Sequence, residues 1–583
     1  MREKSVLSTL HILKNPYPFF ISRLPIEILQ DIFILCAQDH HYRPGLCSTE
    51  PVPSWVNVSY VCRRWRNVAL DCPTLWTYLF ITSRRWTEQL LARSEQASLK
   101  IRVSLVPRET LWLFCMGRVM KHLERIQELT LHLPSSFEHL VLSKLSSRAP
   151  RLQILDITVG MPSGEWPSLL FDGDPPALRI LQLANCPVPL HSFRLDALTD
   201  LCLVEIPVQF QQNMEEFLAA LSCMHDLQEL CLHRSLPSAT SFLSSMVFKA
   251  FFQKKIDLTH LSCLWIYAPL STIVTLLACI NIPLKTRLKL GCKFEPNSSL
   301  DHYALLCSLL AQRYKDQAQS SPTILSLAIR STERGAVLTF SPRQRDISPT
   351  TREAWYRDIP LCIELDHLMV EDVISDICSS MPLANVQTLS VLEPICSPAF
   401  RRILRQLQDV RYITLVAGKV PDLSILSLTD HTTHDSEGED VQDHGGLASG
   451  DQGQRHIVAP RLEELELEHI SFLPDDGPNL SGYAITRRCL FDALSTRQGC
   501  SGRLTITRCD VPGFGVLDMV AVWGDDGFHV VSETVYPPEI DSEDSEGGFV
   551  YFLGMGSEDL EDSEEEEAEG EGEGEGEEYV HSP

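Results

Sequence analysis

Apolar residues recur with two different periods along this chain. Between residues 25 and 37, Ile28, Leu29, Ile32, Phe33 and Leu35 repeat at helical spacing. Pro25 suits the first helical position, where its missing N–H costs nothing. Glu27 then falls in the first turn, near the positive end of the helix dipole. Residues 40–54 are polar and hold Pro44, Pro51 and Pro53, which predicts a loop. A second helix is expected to start after Ser54. A third is expected over 61–70, with Val61 and Trp65 on one face and Arg63, Arg64 and Arg66 on the others. Pro73 is expected to end the helical section.

Beyond Trp76 the period shortens. Residues 78–81 and 99–105 read as strands, and from there a pattern L-x-x-L-x-L returns ten times. Its copies begin at Ile126, Leu152, Leu178, Leu198, Leu227, Leu261, Ile324, Val386, Val410 and Leu462. The first three starts are 26 residues apart; the next intervals are 20, 29 and 34. The copy at Leu178 ends in Asn185-Cys186 and lies nearest a leucine-rich-repeat consensus. In each copy the leucines point to one side of a strand and the intervening residue to the other. A single repeat cannot bury its own apolar face, so neighbours must stack. Returning helices are expected over 215–223, 271–280, 303–312 and 400–407. The register breaks across 291–355, and 503–509 is expected as the last strand, with an apolar cap over 519–531. The fold class expected is mainly α/β: a small helical domain over 21–76, then an irregular leucine-rich-repeat-like solenoid of parallel strands and helices over 77–535. An ordinary α/β domain with leucine-rich strands is the alternative.

Charge alters this picture in two places. Residues 539–583 hold 19 Asp or Glu, residues 430–454 hold 7, and neither stretch has a Lys or Arg. These two segments account for nearly all of the net charge of −27, so the rest of the chain is close to neutral. Nothing in the balance favours nucleic acid or an anionic lipid surface as a partner. Such composition cannot bury enough apolar surface to offset ordering entropy, so both segments are expected to be disordered, as is the lead-in 1–20. No apolar run is long enough to span a bilayer, and no signal-peptide pattern opens the chain. The 19 cysteines include no Cys-x-x-Cys pair and many lie inside apolar runs, which fits reduced thiols in the cytoplasm or nucleus.

Two stretches carry a family resemblance. The first is Leu24-Pro25-Ile26-Glu27-Ile28-Leu29-Gln30-Asp31-Ile32-Phe33. The second is Val61-Cys62-Arg63-Arg64-Trp65-Arg66-Asn67-Val68-Ala69, closed by Pro73-Thr74-Leu75-Trp76. Together they resemble an F-box of the F-box-like type abundant in mushroom-forming fungi. In that family three short helices interlock with the adaptor of an SCF-type cullin-RING ubiquitin ligase. The resemblance therefore implies a substrate receptor, not an enzyme. It places Leu24, Pro25, Ile28, Leu29, Ile32, Val61, Cys62 and Trp65 on the adaptor-facing pattern. The departure is the loop 36–54, which is longer than in a compact F-box. A target protein, not identified by the sequence, would meet the solenoid; Thr130, Asp156, Gln182 and Glu466 are candidates because the middle residue of each L-x-L faces out. The alternative is a leucine-rich scaffold, or a binder of histones or other basic proteins through the acidic tail, with no ubiquitin role.

Other constellations point to no chemistry. Cys36, His40, His41 and Cys47 match no standard zinc spacing. The run Gly570–Gly576 alternates glycine with glutamate, which would repel a phosphate. No nucleophile elbow or metalloprotease motif occurs. No cofactor and no metal are expected.

Overall fold

The computed structural model describes residues within 23–42, 54–103, 109–133, 143–160, 171–315, 324–342, 361–419, 459–471 and 494–536, short gaps excepted. The lead-in, the acidic insert expected at 430–454 and the tail expected at 539–583 lie outside the described residues.

The N-terminal module begins with α1 (Ile26–Tyr42). The Leu29 amide donates to the Pro25 carbonyl at 3.2 Å, so Pro25 stands just ahead of the helix, not at its first position. Leu29, Phe33 and Ala37 recur every fourth residue and are fully buried. The helix outlasts its apolar stripe and runs into the polar residues read as loop. The expected second helix is a 3-10 turn, Ser54–Tyr60, that buries Trp55 and Val56. Next comes α2 (Arg63–Leu70), whose Cys62 sulfur accepts the Trp65 amide as its N-cap.

Pro73 opens a second 3-10 turn, Pro73–Thr77, where it had been expected to end the helical section. A missing N–H costs nothing there either, because the first amides of a helix lack partners. This turn drives Trp76 inward, and its indole N–H donates to the Ala69 carbonyl at 2.7 Å. Trp76 meets Trp55 at 5.5 Å between ring centroids, and Phe33 meets Trp65 at 5.0 Å. Full burial of side chains of this size contributes about 1.5–3 kcal/mol each, which gives so small a module its core.

The chain passes directly from that core into a mixed sheet of 18 strands among the described residues. β1 (Tyr78–Leu79) follows Trp76, and Arg93 of α3 (Arg84–Arg93) lies over the Trp76 ring at 4.4 Å. Next come β2 (Leu99–Val103), α4 (Glu109–Val119), β3 (Ile126–Leu133), β4 (Ile154–Val159), β5 (Ile180–Ala184) and β6 (Asp200–Val204). α5 (Met214–Leu221) leads to β7 (Glu229–His233) and α6 (Met246–Gln253). β8 (Ile256–Asp257) and β10 (Ile280–Asn281) pair in a separate two-stranded sheet. Between them lie β9 (Cys263–Pro269) and α7 (Leu270–Cys279). β11 (Arg287–Lys293) completes this half. β1 to β7 pair in chain order, all parallel, and β7, β9, β11 extend the series.

A repeated corner ends three of these strands. Asn185, Glu205 and Arg234 take positive φ, and their amides donate to Val204, His233 and Tyr267 carbonyls on the next strand. Asn tolerates this left-handed backbone best among residues with side chains. The Cys186 thiol beside it is buried against the Ile157 and Ala184 carbonyls. This is the structural role of the Asn-Cys pair in the sequence.

The expected break in register has a definite form. After α8 (Leu300–Lys315), β12 (Ser326–Thr332) and β13 (Gly335–Ser341) form an antiparallel pair. β14 (Leu361–Asp366) lies antiparallel to β13 and parallel to β11. A hairpin is therefore inserted between β11 and β12's parallel neighbour. α9 (Val370–Ser380) follows, then β15 (Thr388–Leu392), α10 (Ser397–Gln406), β16 (Tyr412–Lys419) and β17 (Glu464–Ser471). β12, β15, β16, β17 and β18 (Gly502–Val511) are again parallel in that order. β18 is not the last strand. β19 (Gly515–Gly524) and β20 (Gly527–Tyr536) add an antiparallel meander over the stretch read as a cap. All ten L-x-x-L-x-L copies lead into strands of this one sheet, and one continuous apolar core runs from Leu29 to Trp523.

Candidate functional site

Among the described residues, two of the surfaces that carry exposed apolar side chains bear on function. The first is on the N-terminal module. On α1, Leu29, Phe33 and Ala37 face inward, while Ile28, Ile32 and Leu35 form a second apolar stripe that stays exposed. Tyr60 and Val61, just before α2, are exposed as well. The Arg64 guanidinium of α2 donates to the Leu24 carbonyl, which sets the start of α2 beside the start of α1. The Arg66 side chain ties α2 to the Ser59 carbonyl at 3.0 Å.

The residues proposed for adaptor contact divide by depth. Pro25, Ile28, Ile32, Val61 and Cys62 are exposed; Leu24 and Trp65 are half-buried; Leu29 is fully buried. The structure thus sets the first five on the surface and Leu29 in the core beneath them. Leu35 and Tyr60 join the exposed set and were not singled out from the sequence. For Leu35 the signal was available, since it follows Ile28 by seven positions on the same helix face.

Residues 21–86 match the family model described as F-box-like. The chain thus carries an F-box-like domain. The match reaches past Trp76 to take in β1 and the start of α3, which fits the burial of Trp76 between the module and Arg93. A search of curated proteins found no match to the chain.

The second surface is the polar side of the sheet. Strand register joins Arg102, Thr130, Asp156, Gln182, Cys202, Cys231, Trp265 and Lys289 into one row across eight strands. Thr130, Asp156 and Glu466 are half-buried there and Gln182 is exposed. Burial pushes the Asp156 carboxyl up, against the pull of His132 and Arg102. Glu466 accepts a hydrogen bond from Thr414 on the neighbouring strand.

Trp265, 43 % exposed, is the large apolar residue of this row. Lys289 lies over its ring at 5.4 Å, and His233 meets its edge at 6.3 Å. His233 in turn stacks on Tyr267 at 4.8 Å, and Arg234 covers Tyr267 at 5.3 Å. The Tyr267 hydroxyl donates to Asp366. Gly291 makes room: a Cβ there would overlap the Tyr267 ring. Burial holds the His233 imidazole below its usual pKa, with Arg234 adding to the effect. Burial likewise lowers Lys289. Trp265 occupies the same outward position as the four sequence candidates, but its His233 and Lys289 neighbours come from other strands and left no local sign.

A cleft of about 170 Å³ lies between α7 and α8, below the ~300 Å³ typical of ligand pockets. Its Arg313 guanidinium is taken up by the Ile282, Pro283, Leu284 and Thr286 carbonyls. Among the described residues no group of three or more His, Cys, Asp or Glu could hold a metal. Cys36 of the Cys/His cluster considered above is exposed on α1, and Cys47 lies outside the described residues. No described helix is long and apolar enough to cross a membrane.

Proposed function

We propose that this chain is a non-catalytic substrate-receptor subunit of an SCF-type cullin-RING ubiquitin ligase. Its F-box-like domain docks on the adaptor, and the long sheet, read as an irregular leucine-rich-repeat-like solenoid, holds the target. The observation that carries this reading is the exposed apolar stripe Ile28, Ile32 and Leu35 beside Val61, inside the matched domain. A domain that already has a complete core under Leu29, Phe33 and Trp76 has no internal use for a second stripe, and such a helix face suits helix-in-groove docking. The mechanism is proximity: holding a target beside a charged ubiquitin-conjugating enzyme raises effective concentration, with no chemistry, cofactor or metal in this chain. The target meets the row from Thr130 to Lys289, where Trp265 has the size and exposure of an interface anchor. The protein works in the cytoplasm or nucleus, away from membranes and nucleic acid.

The 19 acids of residues 539–583 support a second reading, an acidic binder of histones or other basic proteins. Two deletions separate them. Captured from cells, a chain lacking 21–86 loses the adaptor under the first reading and keeps its partners under the second. A chain lacking 539–583 does the reverse. Adaptor retained without 21–86 would overturn the proposal.

A further inference from the structure

We propose that Cys202 and Cys231 form a reversible dithiol–disulfide pair on the outward face of the sheet. They lie directly opposite each other on the parallel strands β6 and β7. Neighbouring strands are about 4.8 Å apart, inside the roughly 4.4–6.8 Å between Cα atoms that a disulfide bridges. Leu201 and Leu203, and Leu230 and Leu232, take the core side, so both thiols point outward, and both are half-exposed. Among the described residues no other rung of the sheet sets two cysteines opposite one another: Cys263 faces Glu229 and Arg287, Cys292 faces Ala268 and Leu365, and Cys362 faces Lys289 and Thr339.

Facing each other across the rung, the two thiols also influence one another: Cys231 lowers the pKa of Cys202, while burial, Asp156 and Glu229 oppose that shift. Cys202 in turn, with burial, raises Cys231. Core thiols behave otherwise: burial pushes Cys279 up to about 11 and Cys378 up to about 12. A thiolate is the nucleophile of thiol–disulfide exchange, so Cys202 is the attacking residue. The oxidant is a low-molecular-weight disulfide. The Cys202 thiolate attacks one sulfur of oxidised glutathione, forms a mixed disulfide and expels one glutathione thiolate. Cys231 then loses its proton and attacks the Cys202 sulfur, expelling the second. The two cysteines lose two electrons and two protons, and two glutathione thiols gain them. The pair adjoins Trp265, so closure of the bond would alter the surface assigned above to the target; the inference itself does not depend on that assignment.

The test uses the full chain and oxidised glutathione, followed by alkylation and non-reducing peptide mapping. Cleavage after Lys, Arg and Glu isolates Cys202 in 195–205, Cys223 in 217–229 and Cys231 in 230–234. The expected product is 195–205 joined to 230–234, released by dithiothreitol. Cys231→Ser, tested alongside, should leave Cys202 as a stable mixed disulfide with glutathione. Peptides 195–205 and 230–234 recovered unlinked, once the exposed Cys223 carries glutathione, would overturn the proposal. So would a link from either peptide to Cys223.

Discussion

Ile28→Ala combined with Val61→Ala separates docking from folding. Ile28 is 44 % exposed and Val61 61 % exposed in the free chain. Full burial of side chains this size contributes about 1.5–3 kcal/mol, so the open fraction leaves about 1 kcal/mol for each to gain on the adaptor. Together they should cost about 2 kcal/mol of binding, or about 30-fold in Kd. Neither residue supports the core, so the change in stability should stay within about 0.5 kcal/mol each. Leu29→Ala is the contrasting variant. It empties a fully buried position between Phe33 and the 3-10 turns and should cost about 2–5 kcal/mol of stability. Binding would be titrated by calorimetry against purified adaptor, and stability read from urea midpoints. A double variant that is folded and binds like wild type would refute the assignment of this stripe. A Leu29→Ala chain of unchanged stability would refute the account of the core.

Three further outcomes follow from the sheet. Gly291→Ala should force the Tyr267 ring off its stack with His233, lowering stability by about 1–3 kcal/mol; an unchanged denaturation midpoint would count against that contact. Arg125 is buried and donates to Ser94 Oγ and to the Ala97 and Leu91 carbonyls, so Arg125→Ala should cost about 3 kcal/mol in a thermal melt by stranding those acceptors. The His233 imidazole is held below its usual pKa by burial, then by Arg234. The unfolded chain therefore binds the proton more readily, and this contribution is complete above the unfolded pKa of about 6.5 and lost as pH falls below it. His233→Asn should flatten that part of the stability-versus-pH curve, as urea midpoints at pH 7.5 and 5.5 would show.

The parallel strands were legible because their cause is local. Leu178, Leu181 and Leu183 carry the full apolar phasing of β5 within six residues, and the same holds for β3, β4, β6 and β7. β11 escaped because only Leu288 and Leu290 mark it, after the turn at Pro283. The β12–β13 hairpin and the β14 crossover escaped for another reason: strand order is decided by pairing between distant residues, such as Leu288 with Leu361. Pro73 shows that one residue can serve two structures, since a proline that cannot continue a helix can start the next turn. On the N-terminal domain the motif picked out eight residues, of which five are exposed and Leu29 is buried. It could not tell Ile28 from Leu29, because one helix step of about 100° decides which faces out, and that depends on where Trp55 and Trp76 pack. Trp265 was visible as the middle residue of Leu264-Trp265-Ile266, but its His233 and Lys289 neighbours arrive from adjacent strands.

The central claim is that the F-box-like domain holds the adaptor. Co-expression of the full chain with its adaptor, followed by size-exclusion chromatography with light scattering, tests it most directly. The account predicts a single 1:1 complex that is lost when 21–86 is deleted. A folded full-length chain that elutes apart from the adaptor would contradict it.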